Sequence, residues 1–371
     1  MTEPRKIVIL TSEFPPGPGG IGNHAWNLAK ELVTAGLQVT VVTDSRREWK
    51  DAEQGFDAIQ PFRLFRARRD AGRMMGVLHR WWLYLLAWLR AEPNEWILLS
   101  GKFPLWFGGL ATLLPISRRI AAVLHGSEIN PRSGWKKWLT RLGLSACDRL
   151  IAVSSYTRDL ALRLDPGLEI NIIPNGFDPE KITHPGNGKM KGVPALVTVG
   201  TLSPRKGQEN VIQALPNIRR RFPRVHYHLV GLPQQASMLQ VKAQSLGLDD
   251  SLTIHGALPD KDLARVLKGS DIFVMLSTEQ ADGDVEGFGI AILEANAAGL
   301  PAVGSANCGI ADAICDGFSG RLVDPQNPEQ VAEAVEDILN DYERYSMQAK
   351  EWAARFHWSV GIEKYLEVLD L

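Results

Sequence analysis

The chain reads as an α/β protein of two doubly wound, Rossmann-like domains, and three observations carry that reading. Short apolar runs rich in Val, Ile and Leu alternate with helical patterns along almost the whole sequence, as parallel strands covered on both faces require. The length of 371 residues exceeds one ordinary core and suits two domains of roughly 150–200 residues each. The apolar runs also form two similar sets, separated by DPEKITHPGNGKMKGVP at 178–194, the only long stretch rich in Pro, Gly and charge without an apolar period.

In the first set, strands are expected at 6–10, 38–43, 96–100, 120–124, 149–153 and 171–173. In the second they are expected at 195–200, 226–231, 252–255, 272–276, 302–304 and 321–323. Helical patterns resume after Pro325, and the last one, 358–371, has no strand after it. It is placed to cross back onto the first domain. The expected division is therefore an N-terminal Rossmann-like domain at 1–180, a linker at 181–194, a C-terminal Rossmann-like domain at 195–355 and a returning helix at 356–371. A hinge between Asn175 and Pro194 suits domain closure.

Composition narrows the functional classes. Lys and Arg number 41 against 42 Asp and Glu, a formal net charge of −1, so bulk attraction to nucleic acid is not indicated. Cys147, Cys308 and Cys315 have no metal-ligand spacing and read as reduced thiols. The opening MTEPRKIVIL enters a strand without a leader pattern, and the densest apolar run, 81–89, is far short of the ~20 residues that span a bilayer. The expectation is a cytoplasmic protein, at most peripheral on the inner face of the membrane.

In a doubly wound sheet the ligand crevice lies at the carboxyl ends of the strands, so two such domains facing each other enclose a cleft. Four post-strand loops carry chemistry. SEFPPGPGGIGNHAW places Gly17, Gly19, Gly20 and Gly22 before a helix from about Asn23; bare backbone there can approach a phosphate, although neither the P-loop ending nor a dinucleotide fingerprint is present. HGSE puts His125 at a strand end, where an imidazole can hydrogen-bond a hydroxyl. GTLSPRKGQENV sets Arg205 and Lys206 just before a helix, an unfavourable place for cations unless an anion sits between them. EGFGIAILE frames a glycine-bounded helix entry with Glu286 and Glu294; taken alone, it suits equally a polyhydroxylated ligand or a helix start that complements the macrodipole. Asp282 and Asp284 spell Asp-x-Asp, a pattern common in solvated loops, and no metal site is assigned to them.

These loops, in this order and with IPNG at 173–176, resemble the retaining glycosyltransferases of family 4, which have the two-domain GT-B architecture. The resemblance spans essentially the whole chain and is most specific at E-x7-E (286–294), at RKG (205–207) and at the glycine loop ending at Gly20; FHWSVGIEKYLEVL also resembles the family's returning helix. It implies that Glu286 binds donor-sugar hydroxyls. The backbone of Gly287, Phe288, Gly289 and Ile290 would contact sugar and phosphate, and Glu294 the ribose. Arg205 and Lys206 would hold the diphosphate, with Gly19 and Gly20 approaching it and His125 beside the transferred sugar. One departure is Thr201, where many members have arginine after the strand-ending glycine.

The implied activity is retaining, metal-independent transfer of a hexose from a nucleoside-diphosphate sugar, with no cofactor. DVEGFGIAILEA resembles bacterial mannosyltransferases of the phosphatidylinositol mannoside and O-antigen type. That favours GDP-mannose over UDP-glucose or UDP-N-acetylglucosamine, and a glycan, glycolipid or lipid-linked acceptor. The alternatives are a GT-B sugar-nucleotide epimerase and a non-catalytic sugar-nucleotide-binding protein. Arg63, Arg66, Arg68, Arg69 and Arg73 precede the run at 81–89, and a second helix carries Trp135 and Trp138 with Lys136, Lys137 and Arg141. This composition suits either an anionic membrane surface or a core helix with a solvated basic flank.

Overall fold

A computed structural model describes residues 5–67, 73–183 and 188–371. The chain divides into two units, 1–175 with 358–371 and 176–357. In the first, the order is β1 (Lys6–Thr11), α1 (Gly20–Thr34), β2 (Gln38–Asp44), α2 (Lys50–Ala58), β3 (Arg63–Ala67), α3 (Arg73–Arg90), β4 (Trp96–Ser100), α4 (Lys102–Ala111), β5 (Arg119–Leu124), α5 (Gly134–Ser145), β6 (Arg149–Ala152), α6 (Ser155–Leu164) and β7 (Ile170–Ile172). The described strands make a parallel seven-stranded sheet in the order β3-β2-β1-β4-β5-β6-β7.

The second unit contains β8 (Ala195–Val199), α7 (Gln208–Arg221), β9 (His226–Val230), α8 (Ala236–Ser245), β10 (Leu252–Gly256), α9 (Asp260–Gly269), β11 (Ile272–Met275), α10 (Ile290–Ala297), β12 (Ala302–Ser305), β13 (Gly320–Val323), α11 (Pro328–Asn340) and α12 (Tyr342–Ala354). Its parallel sheet runs β10-β9-β8-β11-β12-β13. The chain then re-enters the first unit as α13 (Trp358–Val368). There Tyr365 Oη lies 2.9 Å from His24 Nε2 on α1, and the Trp96 indole donates to the Leu369 carbonyl at 2.6 Å.

Every expected strand is present, but β3 is an additional one. Its period-2 signal is weak because it is an edge strand whose outward residues, Arg63 and Phe65, are exposed. The division also falls at 175/176 rather than at the expected linker. Within 181–194, Met190 N bonds Gly269 O at 2.8 Å and Val193 N bonds Arg224 O at 2.8 Å, which ties that segment to the second unit; 184–187 lie outside the described residues. The first helix begins at Gly20 rather than near Asn23, because Asn23 N already bonds Gly19 O at 3.0 Å.

Capping and buried charge fix individual elements. The Ser154 hydroxyl accepts from Thr157 N at 3.0 Å to start α6, and Asn327 with Pro328 starts α11 in the same way. A buried ion pair, Arg80 Nη2 to Asp44 Oδ2 at 2.5 Å, joins α3 to the carboxyl end of β2. Removing either partner leaves the other charge buried, at a cost of about 3–5 kcal/mol.

Candidate active site

In the second sheet β8 lies between β9 and β11. Strand order reverses there, and ligands bind beyond the carboxyl ends at such a point. The turn Pro204–Lys206 after β8 ends at Gly207 with φ 71°. A Cβ on Gly207 would stand 1.8 Å from the Leu276 carbonyl oxygen, so glycine lets this turn close onto the chain leaving β11. Thr278 N donates to Arg205 O at 3.2 Å, and the Asn210 amide donates to Leu276 O at 2.9 Å.

That closure brings Arg205 and Lys206 to Glu286. Lys206 Nζ is 2.7 Å from Glu286 Oε2, Arg205 Nη1 bonds the same oxygen, and Arg205 Nε is 3.1 Å from Asp284 Oδ2. Burial pushes the Glu286 carboxyl upward, yet the charges of Lys206 and Arg205 outweigh it and hold the group below the usual carboxylate range. The Glu286 charge, less the cost of burial, raises Arg205 in turn. Asp284 was not among the expected site residues. Its sequence signal was an acidic loop, and the structure uses it to orient the arginine, while Asp282 Oδ1 accepts from Asp284 N at 3.1 Å.

The rest of E-x7-E is arranged around backbone. Gly289 caps α10 with φ 89°, without a side-chain cap and without an acidic residue in the first turn. Ile292 N is taken by Gly289 O at 2.9 Å, so the N–H groups of Ile290 and Ala291 are the ones that no cap side chain meets. Phe288 is buried, its ring 5.9 Å from that of Phe356, so this position offers its main chain. Gly309 N donates to Glu286 O at 3.0 Å and pins the loop, a support the sequence did not signal. Ile290 opens the helix, and Glu294, half-buried, stands one turn further along.

In the first sheet the order reverses between β1 and β4. Gly19 and Gly20 follow β1; a Cβ on Gly19 would lie 2.1 Å from the Glu13 carboxylate, whereas Gly20 faces open space. Arg46 steadies the loop, donating to Pro18 O at 2.8 Å and pairing with Glu13 at 3.2 Å. His125, after β5, has Nε2 2.9 Å from Ser100 Oγ at the end of β4, and its backbone N–H donates to the buried Glu128 carboxylate. The His24 ring, on α1, lies 5.0 Å from the His125 ring. Burial pushes His125 down to about 3, and burial together with His125 lowers His24 as well. Both imidazoles are neutral at physiological pH, and Glu128 is raised by burial. His24 and Ser100 were missed because a lone polar residue inside an apolar run carries no positional signal.

The basic and aromatic segments divide. Arg66 is buried against Asp57 at 2.7 Å and Glu53 at 3.4 Å, and donates to the Pro15 carbonyl, so it is a structural arginine and not part of a membrane-facing patch. Arg68, Arg69 and the Arg73 side chain lie outside the described residues. Tyr84 and Trp88 on α3 are core residues, whereas Trp82 is 55% exposed and Trp135 and Trp138 on α5 are 60% exposed. Among the described residues no helix is long and apolar enough to cross a membrane.

Two doubly wound parallel sheets, one with a cation–carboxylate cluster at its switch point, are the architecture of the GT-B class. Residues 18–181 match the profile of glycosyltransferase family 4, and residues 180–354 that of the glycosyl transferases group 1. The chain belongs to this family and is a glycosyltransferase. It is 31% identical over 398 residues to the GDP-mannose-dependent alpha-(1-6)-phosphatidylinositol monomannoside mannosyltransferase of Mycolicibacterium smegmatis, covering 98% of both chains. It is 26% identical to the glycogen synthase of Mycobacterium tuberculosis, over 91% of this chain and 86% of that one. Anabaena HepE in complex with UDP and glucose superposes with a TM-score of 0.77 at 20% identity, covering 99% of each chain. Sucrose-phosphate synthase of Thermosynechococcus elongatus gives 0.78 at 19%, covering 99% of this chain and 98% of that one. At these identities the two structures establish the shared fold.

Proposed function

We propose that the enzyme transfers mannose from GDP-mannose, with retention and without a divalent metal, to a glycolipid or lipid-linked acceptor. The observation that carries the mechanism is the convergence of Arg205 and Lys206 on one carboxylate oxygen of Glu286. A diphosphate competes for the same two cations, and fixed positive charge at the leaving group does the work that a metal does in other transferases. Glu286 is then released to accept hydroxyls of the donor sugar. The N–H groups of Ile290 and Ala291 at the start of α10 support the phosphate, and Glu294 takes the ribose.

With both motif glutamates used in recognition, a front-face substitution fits best. The bond from C1 to the phosphate oxygen breaks, the acceptor oxygen bonds C1 on the same face, and the acceptor proton passes to the departing phosphate. Gly19 and Gly20 are assigned to the phosphate, and the neutral His125 to a hydroxyl of the sugar or acceptor. The donor assignment rests on the mannosyltransferase name of the 31% relative. Turnover with GDP-mannose, ADP-glucose, UDP-glucose and UDP-N-acetylglucosamine, each with and without EDTA, is the test, with the product anomer read by NMR. Glucose transfer alone, an inverted anomer or loss of activity in EDTA would each reject the corresponding part.

The exposed Trp135 and Trp138 beside Lys136, Lys137 and Arg141 support contact with an anionic membrane surface. Flotation with phosphatidylglycerol vesicles measures it. Binding that survives Trp135→Ser with Trp138→Ser would remove α5 from the contact.

A further inference from the structure

α3 is apolar on three sides. Tyr84 and Trp88 enter the core; Met74, Leu78 and Trp82 are exposed; Leu83, Leu86 and Ala87 form a third, half-buried stripe. A helix apolar all round normally has apolar surroundings. The third stripe looks across a groove of about 680 Å³ towards the edge of the first sheet, a volume within the ~300–1,000 Å³ of small-molecule sites. Its floor is set by strand register. Val8 pairs with Thr40 and Thr40 with Arg63, while Val42 pairs with Phe65, which is 47% exposed on the edge strand.

The groove lies at the amino ends of the strands, where Lys6, Gln38 and Arg63 open β1, β2 and β3. The candidate catalytic loops follow the carboxyl ends, so this is a separate site. Its charges are unequal. Lys6 is held by Glu92 and, at 3.7 Å, by Glu95, whereas Arg63 and Arg90 make no ion pair among the described residues. The lining carries three cations against two carboxylates, both carboxylates lying at Lys6. The single net positive charge, presented by two guanidinium groups without an ion pair beside apolar walls, matches an amphiphile with a singly charged anionic head and a hydrocarbon tail.

We propose that this groove binds the acyl chain of a single anionic membrane lipid, with the tail between Phe65 and the Leu83–Leu86–Ala87 stripe and the head group on Arg63 and Arg90. The site is independent of the donor reading and of Trp135 and Trp138. Fluorescence titration of the full chain with cis-parinaric acid tests it. Saturable one-to-one binding is expected, weakened about tenfold or more in Arg63→Gln with Arg90→Gln and absent in Ala87→Trp, with donor turnover unchanged in the arginine variant. The methyl ester of the same acid is expected to bind about as weakly to the natural protein as the acid does to the arginine variant. Equal binding of acid and ester, undiminished binding in the arginine variant, or no saturation would overturn the proposal. Trp135→Ser with Trp138→Ser separates the two surfaces: parinarate binding that persists supports the groove whatever the vesicle result, and parinarate binding lost with those tryptophans refutes it.

Discussion

The two switch points of this enzyme are furnished in opposite ways. In the second unit Arg205, Lys206, Asp284 and Glu286 form an ionised cluster; in the first, His24, His125 and Ser100 form a neutral one. The difference follows from the work proposed for each. A nucleoside diphosphate develops charge as it leaves and needs fixed charges facing it, whereas hydroxyl groups need donors and acceptors that stay uncharged.

The largest expected effect breaks the charged half. Lys206→Ala should lower kcat about 10²–10³-fold at saturating donor, comparable with loss of one preorganised oxyanion donor, with the thermal transition little moved; full turnover would dismiss the cation from leaving-group stabilisation. Asp44→Ala should cost about 3–5 kcal/mol in urea unfolding by stranding Arg80, and a small loss would mean that α3 is held mainly by its apolar contacts.

The neutral half is sharpened by pH. Because burial holds His125 at about 3, the pH profile of kcat between 5 and 8 should show no ionisation from it, and an inflection near 6.5 that vanishes in His125→Asn would contradict its neutrality. That variant should retain activity within roughly ten- to a hundredfold, at or below the least that a positioned acid–base group contributes, as a neutral hydrogen-bonding role requires.

The smallest effect concerns stability. His226, on β9, is lowered by burial, then by its neighbours His228, Lys191 and His255, from 6.5 to about 4. Its folded-state value lies below its unfolded one, so the unfolded chain takes up the proton first. The contribution is complete above about 6.5 and is lost as pH falls towards 4, about 2 kcal/mol by pH 5. His226→Gln should flatten that fall in thermal midpoint; an unchanged slope would assign it to other groups.

Much of this site was legible because its residues sit directly after strands. RKG and E-x7-E each combine a glycine with charge at a fixed offset from an apolar run, and that local pattern survives without knowledge of the fold. Asp284, Ser100, His24 and Gly309 were not legible, since each matters only through a partner brought from a distant element. The surface segment shows the same limit: periodicity could not separate the buried Trp88 from the exposed Trp82, six residues away on one helix.

The sequence by itself determined the two doubly wound sheets, all of their strands but β3, and the loops that carry charge, because short continuous apolar runs, glycine turns and strand-end positions are local properties. Only the tertiary structure decided that both cations share one oxygen of Glu286, that Arg66 is buried while Arg63 and Arg90 are left beside an apolar groove, and that the chain between 181 and 194 belongs to the second unit. Those outcomes depend on strand order and packing. Both are settled by burial and electrostatics summed over residues far apart in the chain, and no short window of sequence contains that sum.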